Sequence, residues 1–312
     1  MPERYTLENF RKLLHEPEYV LWELQRKIFQ FRFGDGIDVM SKDWDNLVLL
    51  DACRYDSFEM ENTIDGELTA VVSKGGSSWP FMQANFANRD LHDTVYVTAN
   101  PHTGKLSDDV FHAVKMLHLE AWNDEYETVL PEDVLTAAID AHEEYPNKRL
   151  IIHFMQPHRP FIGPTGQELR EEYNLGGYNR TLVYEESNGE REETDFTARV
   201  ERGELSLPRI REAYRENVAT AVEYAEKVSN ALPGKTVVSA DHGELLGDQF
   251  TRFTKPKYGH SWEHLKNKEL YVVPWLEIET DDRRTITADS PTEINRGSEA
   301  EVEDRLRSLG YR

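Results

Sequence analysis

Cysteine is nearly absent: Cys53 is the only one in 312 residues. No internal disulfide can form, and no thiolate cluster can hold a metal. Long apolar runs are missing too, since nothing approaches the roughly 18 residues needed to span a bilayer. The opening "MPERYTLENF" has no apolar stretch of the kind that marks a signal peptide. These absences set the expectation of a soluble, cytoplasmic protein. Positive charge is scarce, with 36 Lys and Arg against 58 Asp and Glu and a net charge of −22. So acidic a surface repels nucleic-acid phosphates and anionic lipid, and neither is expected as a partner. It repels a free anionic substrate as well, unless a metal or local cations reverse the field at the site.

What is present is a sizeable core and a regular alternation of elements. Hydrophobic residues make up 38% of the chain, enough for one large domain or two small ones. The acidic excess resembles that of proteins from salt-loving archaea, where salt screens self-repulsion; an ordinary acidic cytosolic protein is the alternative. Residues 6–33 carry Phe10, Leu13, Leu14, Val20, Leu21, Leu24, Ile28 and Phe29 at helical spacing, which predicts two helices broken near Pro17. The second, aromatic and bearing Arg26 and Lys27, is expected to pack on the domain or a partner, with a membrane surface as the alternative.

Strands are predicted in "NLVLLDACRYD" from Leu47 to Leu50, at the start of "TAVVSKGGSSWP" before its glycine-serine turn, and at "DTVYVTANPH", "KRLIIHFMQPH", "KTVVSADHG" and "ELYVVPWLEI", and helices at "PEDVLTAAIDAHEEY" and from Leu207 to Leu232. The long helix has an inner stripe of Ile210, Tyr214, Val218, Ala221, Val222, Ala225, Val228 and Leu232. Strands alternating with helices imply an α/β fold with a mainly parallel central sheet covered on both faces. The expected organisation is an N-terminal helical extension over residues 1–40, an α/β domain over 41–280, and a polar linker with a C-terminal helix over 281–312. Gly166–Leu205 is expected to be a polar insertion, a hairpin or a lid near the site. A final helix is expected after Ser298, with Val302, Leu306 and Leu309 on its apolar side.

Ligands of open α/β sheets gather at the C-terminal ends of the strands. Four polar groups follow apolar runs and belong on that rim: Asp51, Ser77-Ser78, His153 to His158, and Asp241-His242. Asp51, Asp241 and His242 offer oxygen and nitrogen donors suited to a divalent ion such as Mg²⁺, Mn²⁺, Ca²⁺ or Zn²⁺. A serine hydroxyl completes the set and is itself activated by the ion for attack. Taken singly, each residue has a plainer use: the aspartates as helix caps, the serines as a Gly-Ser turn. His158 in "HFMQPHRPF" and His260 in "KPKYGHSWEH", with His264 nearby, can bind an anionic oxygen or protonate a leaving group.

At this point four blocks, in order, resemble the alkaline phosphatase superfamily and its sulfatase-like branch: "DNLVLLDACRYDSFE", "GGSSWPF", "MQPHRPFIG" and "VVSADHGELLGD". They span about Asp45 to Ile278. The resemblance implies Asp51, Asp241 and His242 as metal ligands and Ser78 as nucleophile and ligand, with Ser77 as second choice. It implies His158 on the transferred group's oxygens and His260 on the substrate side. Sulfatases convert their Cys or Ser to formylglycine with the help of a following Arg; here Met82 stands at that position, which favours unmodified serine. Ala52 stands where many sulfatases have a second aspartate, and "HFMQPH" has no aspartate for a second ion. One divalent metal ion is therefore expected. The implied activity is hydrolysis or transfer of a sulfate or phosphate ester. The alternatives are a phosphoglycerol or phosphoryl transferase acting on a glycan or lipid head group, and a non-catalytic binding protein on the same fold. Arg54 either stabilises charge on the transferred group or pairs with Asp56.

Overall fold

The apolar run at Asn46–Asp51, strand β1, is buried along its whole length, and its place in the centre of a sheet is the reason. Its side chains alternate. Leu47 and Leu49 join an aromatic-rich cluster with Trp44, Phe81, Phe86, Tyr96 and Phe111 on one face. Val48 and Leu50 join Phe154, Tyr214 and the long helix on the other. A strand buried on both faces needs no polar alternation. The computed structural model describes residues 17–175, 196, 198–249, 256–260 and 266–292.

Besides β1, the main sheet holds β2 (Glu67–Val72), β3 (Leu91–Thr98), β4 (Phe111–Met116), β5 (Arg149–Pro157), β6 (Thr236–Ala240) and β7 (Val272–Ile278). Their order is β2-β7-β6-β1-β5-β3-β4. The pairs β1–β5, β1–β6, β3–β5 and β3–β4 are parallel, whereas β7 runs antiparallel to both β6 and β2. Only β7 is therefore reversed, and the expected mainly parallel α/β sheet is what the chain forms. Helices α1 (Pro17–Phe33), α2 (Tyr55–Glu61), α3 (Ser78–Asn85), α4 (Pro131–Glu144), α5 (Pro164–Tyr173) and α6 (Leu207–Ala231) surround it. The inner stripe of α6 is buried as its spacing predicts, from Ile210 through Val228.

Some segments differ from their sequence reading. Strand β4 carries His112 and Lys115 within its run and occupies the sheet edge, so its apolar signal is interrupted. In "ELYVVPWLEI" the strand starts only at Val272. The Asn267 side chain accepts from the Leu270 amide at 3.0 Å and caps a helical turn over Lys268–Tyr271. The start of the expected polar insertion is the helix α5, anchored by buried Leu169. The linker from Thr280 is tied down: Arg283 binds Asp43 and Asp45, and Arg284 binds Asn46. The predicted helices at Phe10–Leu14 and after Ser298, the middle of the insertion (176–195) and His264 lie outside the described residues.

Candidate metal and nucleophile site

Strand register decides what the rim presents. Leu50 of β1 lies opposite Ala240 of β6, so the next residue of each strand, Asp51 and Asp241, leaves the sheet side by side. Both are buried, as is His242. The His242 Nδ1 donates to the Gly243 carbonyl at 2.8 Å, which leaves Nε2 with a free lone pair. That Nε2 lies 3.5 Å from Asp51 Oδ1 and 3.4 Å from Asp241 Oδ2. Ser78 Oγ lies 3.2 Å from the same nitrogen.

Glycines make the approach possible. A Cβ on Gly243 would sit 1.9 Å from the Glu269 carbonyl oxygen, because the Gly243 amide donates to Leu270 O at 2.8 Å. A Cβ on Gly75 would meet the Phe81 backbone nitrogen at 2.3 Å. Helix α3 therefore folds back against the turn and brings Ser78, its first residue, over the strand ends. Ser77 is the preceding cap residue, with an extended backbone and no capping bond from its side chain. Of the two serines, Ser78 is the one that reaches the cluster.

The remaining bonds leave a defined gap. Asp51 Oδ2 accepts from Asn100 Nδ2 at 2.7 Å. Asp241 Oδ1 accepts from the amides of Ala52 and His242 at 3.1 and 2.8 Å. The other oxygen of each carboxylate, Asp51 Oδ1 and Asp241 Oδ2, is buried without a hydrogen-bond partner. Burial, then the charge of Asp241, pushes the Asp51 carboxyl well above the usual range. Burial pushes Asp241 up as well, but His242 and His153 outweigh it and hold that carboxyl below its ordinary value. Burial lowers His242, against the opposing pull of Asp241. Two carboxylate oxygens without hydrogen-bond partners, one lone-pair nitrogen and one hydroxyl thus converge. A divalent cation fits that donor set, with Asp51, Asp241 and His242 as its ligands and Ser78 beside them.

A second group lies against the first. His158, Glu244 and His260 bring ligand-capable atoms within 4.8 Å of one another. His260 Nδ1 is 3.1 Å from Glu244 Oε2. The His260 ring lies 4.6 Å from that of His242 and 5.2 Å from that of His158. His158 donates through Nδ1 to the Arg159 carbonyl at 2.6 Å, and its amide donates to Asp51 O at 3.0 Å. Burial, then His260, pushes His158 well below its usual value. Glu244, whose role the sequence left open, is the carboxylate of this second group.

Arg54 forms the second of its two expected contacts. Its guanidinium binds Asp56 at 2.9 and 2.6 Å, Asp248 at 2.8 Å and the Glu244 carbonyl at 3.2 Å. It ties the β1 loop to the Glu244 hairpin and is not directed at the metal-type cluster. Sequence reasoning missed Asn100, whose only signal is its place just after β3 in "VTANPH". It also placed His153 on the rim with His158. His153 sits inside β5, bound to Tyr96 Oη at 2.7 Å and 3.7 Å from Asp241 Oδ2, and burial lowers it to about 4.

No family model matches the chain, and no curated protein matches it. Solved structures do. The C-terminal periplasmic domain of EcEptC from Escherichia coli, in complex with Zn, is 12% identical over 78% of this chain and 75% of that one, with a TM-score of 0.48. The soluble domain of lipooligosaccharide phosphoethanolamine transferase A from Neisseria meningitidis is 14% identical over 74% and 75%, with a TM-score of 0.44. A protein in the alkaline phosphatase superfamily from Vibrio parahaemolyticus is 13% identical over 80% and 63%, with a TM-score of 0.40. At such distances the chemistry has to be read from this chain's own residues.

Proposed function

We propose that the protein is a metal-dependent enzyme that transfers the phosphoryl-type group of a phosphate ester through Ser78, as a hydrolase or a transferase. The observation that carries this reading is the buried convergence of Ser78 Oγ and His242 Nε2, 3.2 Å apart, on two carboxylate oxygens that lack partners. A divalent ion held by Asp51, Asp241, His242 and the Ser78 oxygen would lower the pKa of the hydroxyl and neutralise charge on the transferred group. Asn100 and the Ala52 amide fix the carboxylates. Ser78 gives up its hydroxyl proton to solvent water, and its oxygen, held near His242, bonds to phosphorus as the bond from phosphorus to the ester oxygen breaks. His260, oriented by Glu244, delivers a proton to the departing alcohol. His158, kept neutral, meets the oxygens of the group in transfer. The seryl ester then passes that group to water or to an acceptor alcohol.

Phosphate is favoured over sulfate because Met82, at the position of the arginine that guides formylglycine formation in sulfatases, is fully buried in the aromatic-rich cluster. That packing suits an unmodified serine. A glycan or lipid head group is the acceptor class that this reading admits. A cytoplasmic setting, where the lone thiol of Cys53 stays reduced, belongs to the same reading.

The test compares p-nitrophenyl phosphate, bis-p-nitrophenyl phosphate and p-nitrophenyl sulfate with purified protein and added Mg²⁺, Mn²⁺, Ca²⁺ or Zn²⁺. Turnover of a phosphate ester, lost in Ser78→Ala, is expected. Turnover of the sulfate alone would restore the sulfatase reading. No turnover of any ester, or full activity in Ser78→Ala, would leave a binding protein on an enzyme fold.

A further inference from the structure

From Leu24 onward, helix α1 packs on the domain through Phe29 and leaves other apolar side chains exposed. Phe29 is buried, with its ring 5.9 Å from that of Tyr271 and 4.8 Å from that of Phe33. Leu24, Ile28 and Phe31 follow one another at helical spacing and stay 55%, 55% and 94% exposed. An exposed aromatic beside two exposed aliphatic residues on one helix stripe marks a surface that something covers. From Leu24 to Gly34 the chain carries Arg26, Lys27 and Arg32 and no Asp or Glu. On a chain of net charge −22, that is a local reversal of sign. Apolar residues flanked by cations are the pattern of a helix that lies in the headgroup region of an anionic bilayer.

We infer that α1 docks the protein on an anionic lipid surface. The sequence reading, which weighed the whole charge, made anionic lipid an unexpected partner. At physiological salt the Debye length is about 8 Å, so charges farther from the bilayer than that are screened and the local patch decides. The helix does not cross the membrane: among the described residues no helix is long and apolar enough. Seventeen residues at about 1.5 Å each would lie along the surface instead. The helix also sits at the catalytic rim. Tyr271, which packs on Phe29, also closes on Gly76, where an added Cβ would meet its hydroxyl oxygen at 2.7 Å, and Gly76 lies two residues before Ser78. Docking through α1 would hold the nucleophile turn near the headgroup layer. The inference stands apart from the proposed chemistry, because its test involves no turnover.

The test is co-sedimentation of the full chain with phosphatidylcholine vesicles and with vesicles containing phosphatidylglycerol, at low and high salt. Binding to the anionic vesicles, weakened by salt, is expected. Replacing Arg26, Lys27 and Arg32 together by Gln is expected to weaken it about a hundredfold, and Phe31→Ser about tenfold. Circular dichroism and melting curves matching the parent would show that the variants fold. Equal binding by the parent and the variants would overturn the proposal. So would a monomer that ignores both vesicles, which would mean that the stripe is covered within the chain. A dimer that ignores both vesicles and dissociates in Phe31→Ser would overturn it too, and would assign the stripe to a second copy.

Discussion

The two clusters at the rim are built from the same residue types and solve opposite problems. In the Asp51–Asp241–His242 cluster, one oxygen of each carboxylate is buried without a partner. In the His158–Glu244–His260 cluster, His260 is held by Glu244 and His158 by the Arg159 carbonyl. The first set has the open oxygens that the proposed cation would fill, whereas both histidines of the second are already held. A buried carboxylate left unpaired costs several kcal/mol, and in the proposed reading a bound ion offsets that cost. A satisfied carboxylate–imidazole pair has no such need, and it is suited to hold and deliver a proton. The unsatisfied atoms, more than the ligand types, are what separate the two clusters, and the proposed ion site and proton site follow from that difference.

The sharpest way to break that distinction is Ser78→Ala, which leaves the carboxylates and imidazoles of both clusters in place but removes the oxygen proposed to attack. Turnover is expected to fall by about 10³-fold or more, while Ser77→Ala stays within about threefold. Comparable losses for both serines would sink the assignment of the nucleophile. Next in size is the effect of the ion on stability. At roughly a thousand times Kd, a ligand bound only by the folded state stabilises it by about 4 kcal/mol. Chelation is expected to lower the melting temperature by several degrees, and excess divalent ion to restore it. In Asp241→Asn this response is expected to vanish; in Glu244→Gln it is expected to persist. A response lost equally in both would place the ion between the clusters.

Proton delivery gives the next contrast. His260→Gln and Glu244→Gln are expected to slow esters with poor leaving groups by about a hundredfold, and p-nitrophenyl esters by far less, because that alcohol departs without a proton. Measuring both ester classes in the two variants checks this. A uniform loss across leaving groups would mean that His260 binds the ion or the transferred group instead.

The two clusters were not equally legible in the sequence. Asp51 and Asp241 directly follow the runs of β1 and β6, and His242 comes next after Asp241, so strand register alone brings them together. Ser78 was harder to separate from Ser77, because the choice depends on α3 folding back onto Gly75, a tertiary contact. Glu244 and His260 meet through the hairpin of Leu245–Asp248 with Lys257–Gly259, whose short strands carry no clear alternation. Asn100 and His153 act from neighbouring strands whose order in the sheet no local pattern reveals. The mainly parallel sheet was readable because its strands are apolar and separated by helices. The edge strand β4 was not, because half-exposed residues dilute its pattern.

The smallest expected effect concerns the joint between β1 and β6. Ala52 has φ of +59°, a left-handed conformation that costs a residue with a Cβ roughly 1 kcal/mol. It turns the Ala52 amide onto Asp241 Oδ1 and the Ala52 carbonyl onto Tyr214 Oη, which donates at 2.7 Å. The same hydroxyl accepts from the Arg54 amide at 3.0 Å. Ala52→Gly keeps every one of these backbone groups and relieves the strain, but it loses a buried methyl and gains freedom in the unfolded chain. These terms nearly cancel, so stability is expected to stay within about 1 kcal/mol and turnover within about twofold. Denaturant unfolding and the phosphate-ester assay measure the two quantities. A tenfold loss of turnover at unchanged stability would show that the methyl itself holds Asp51 in place. The Asp51 cluster would then depend on packing as well as on the hydrogen bonds that distinguish its used oxygens from its empty ones.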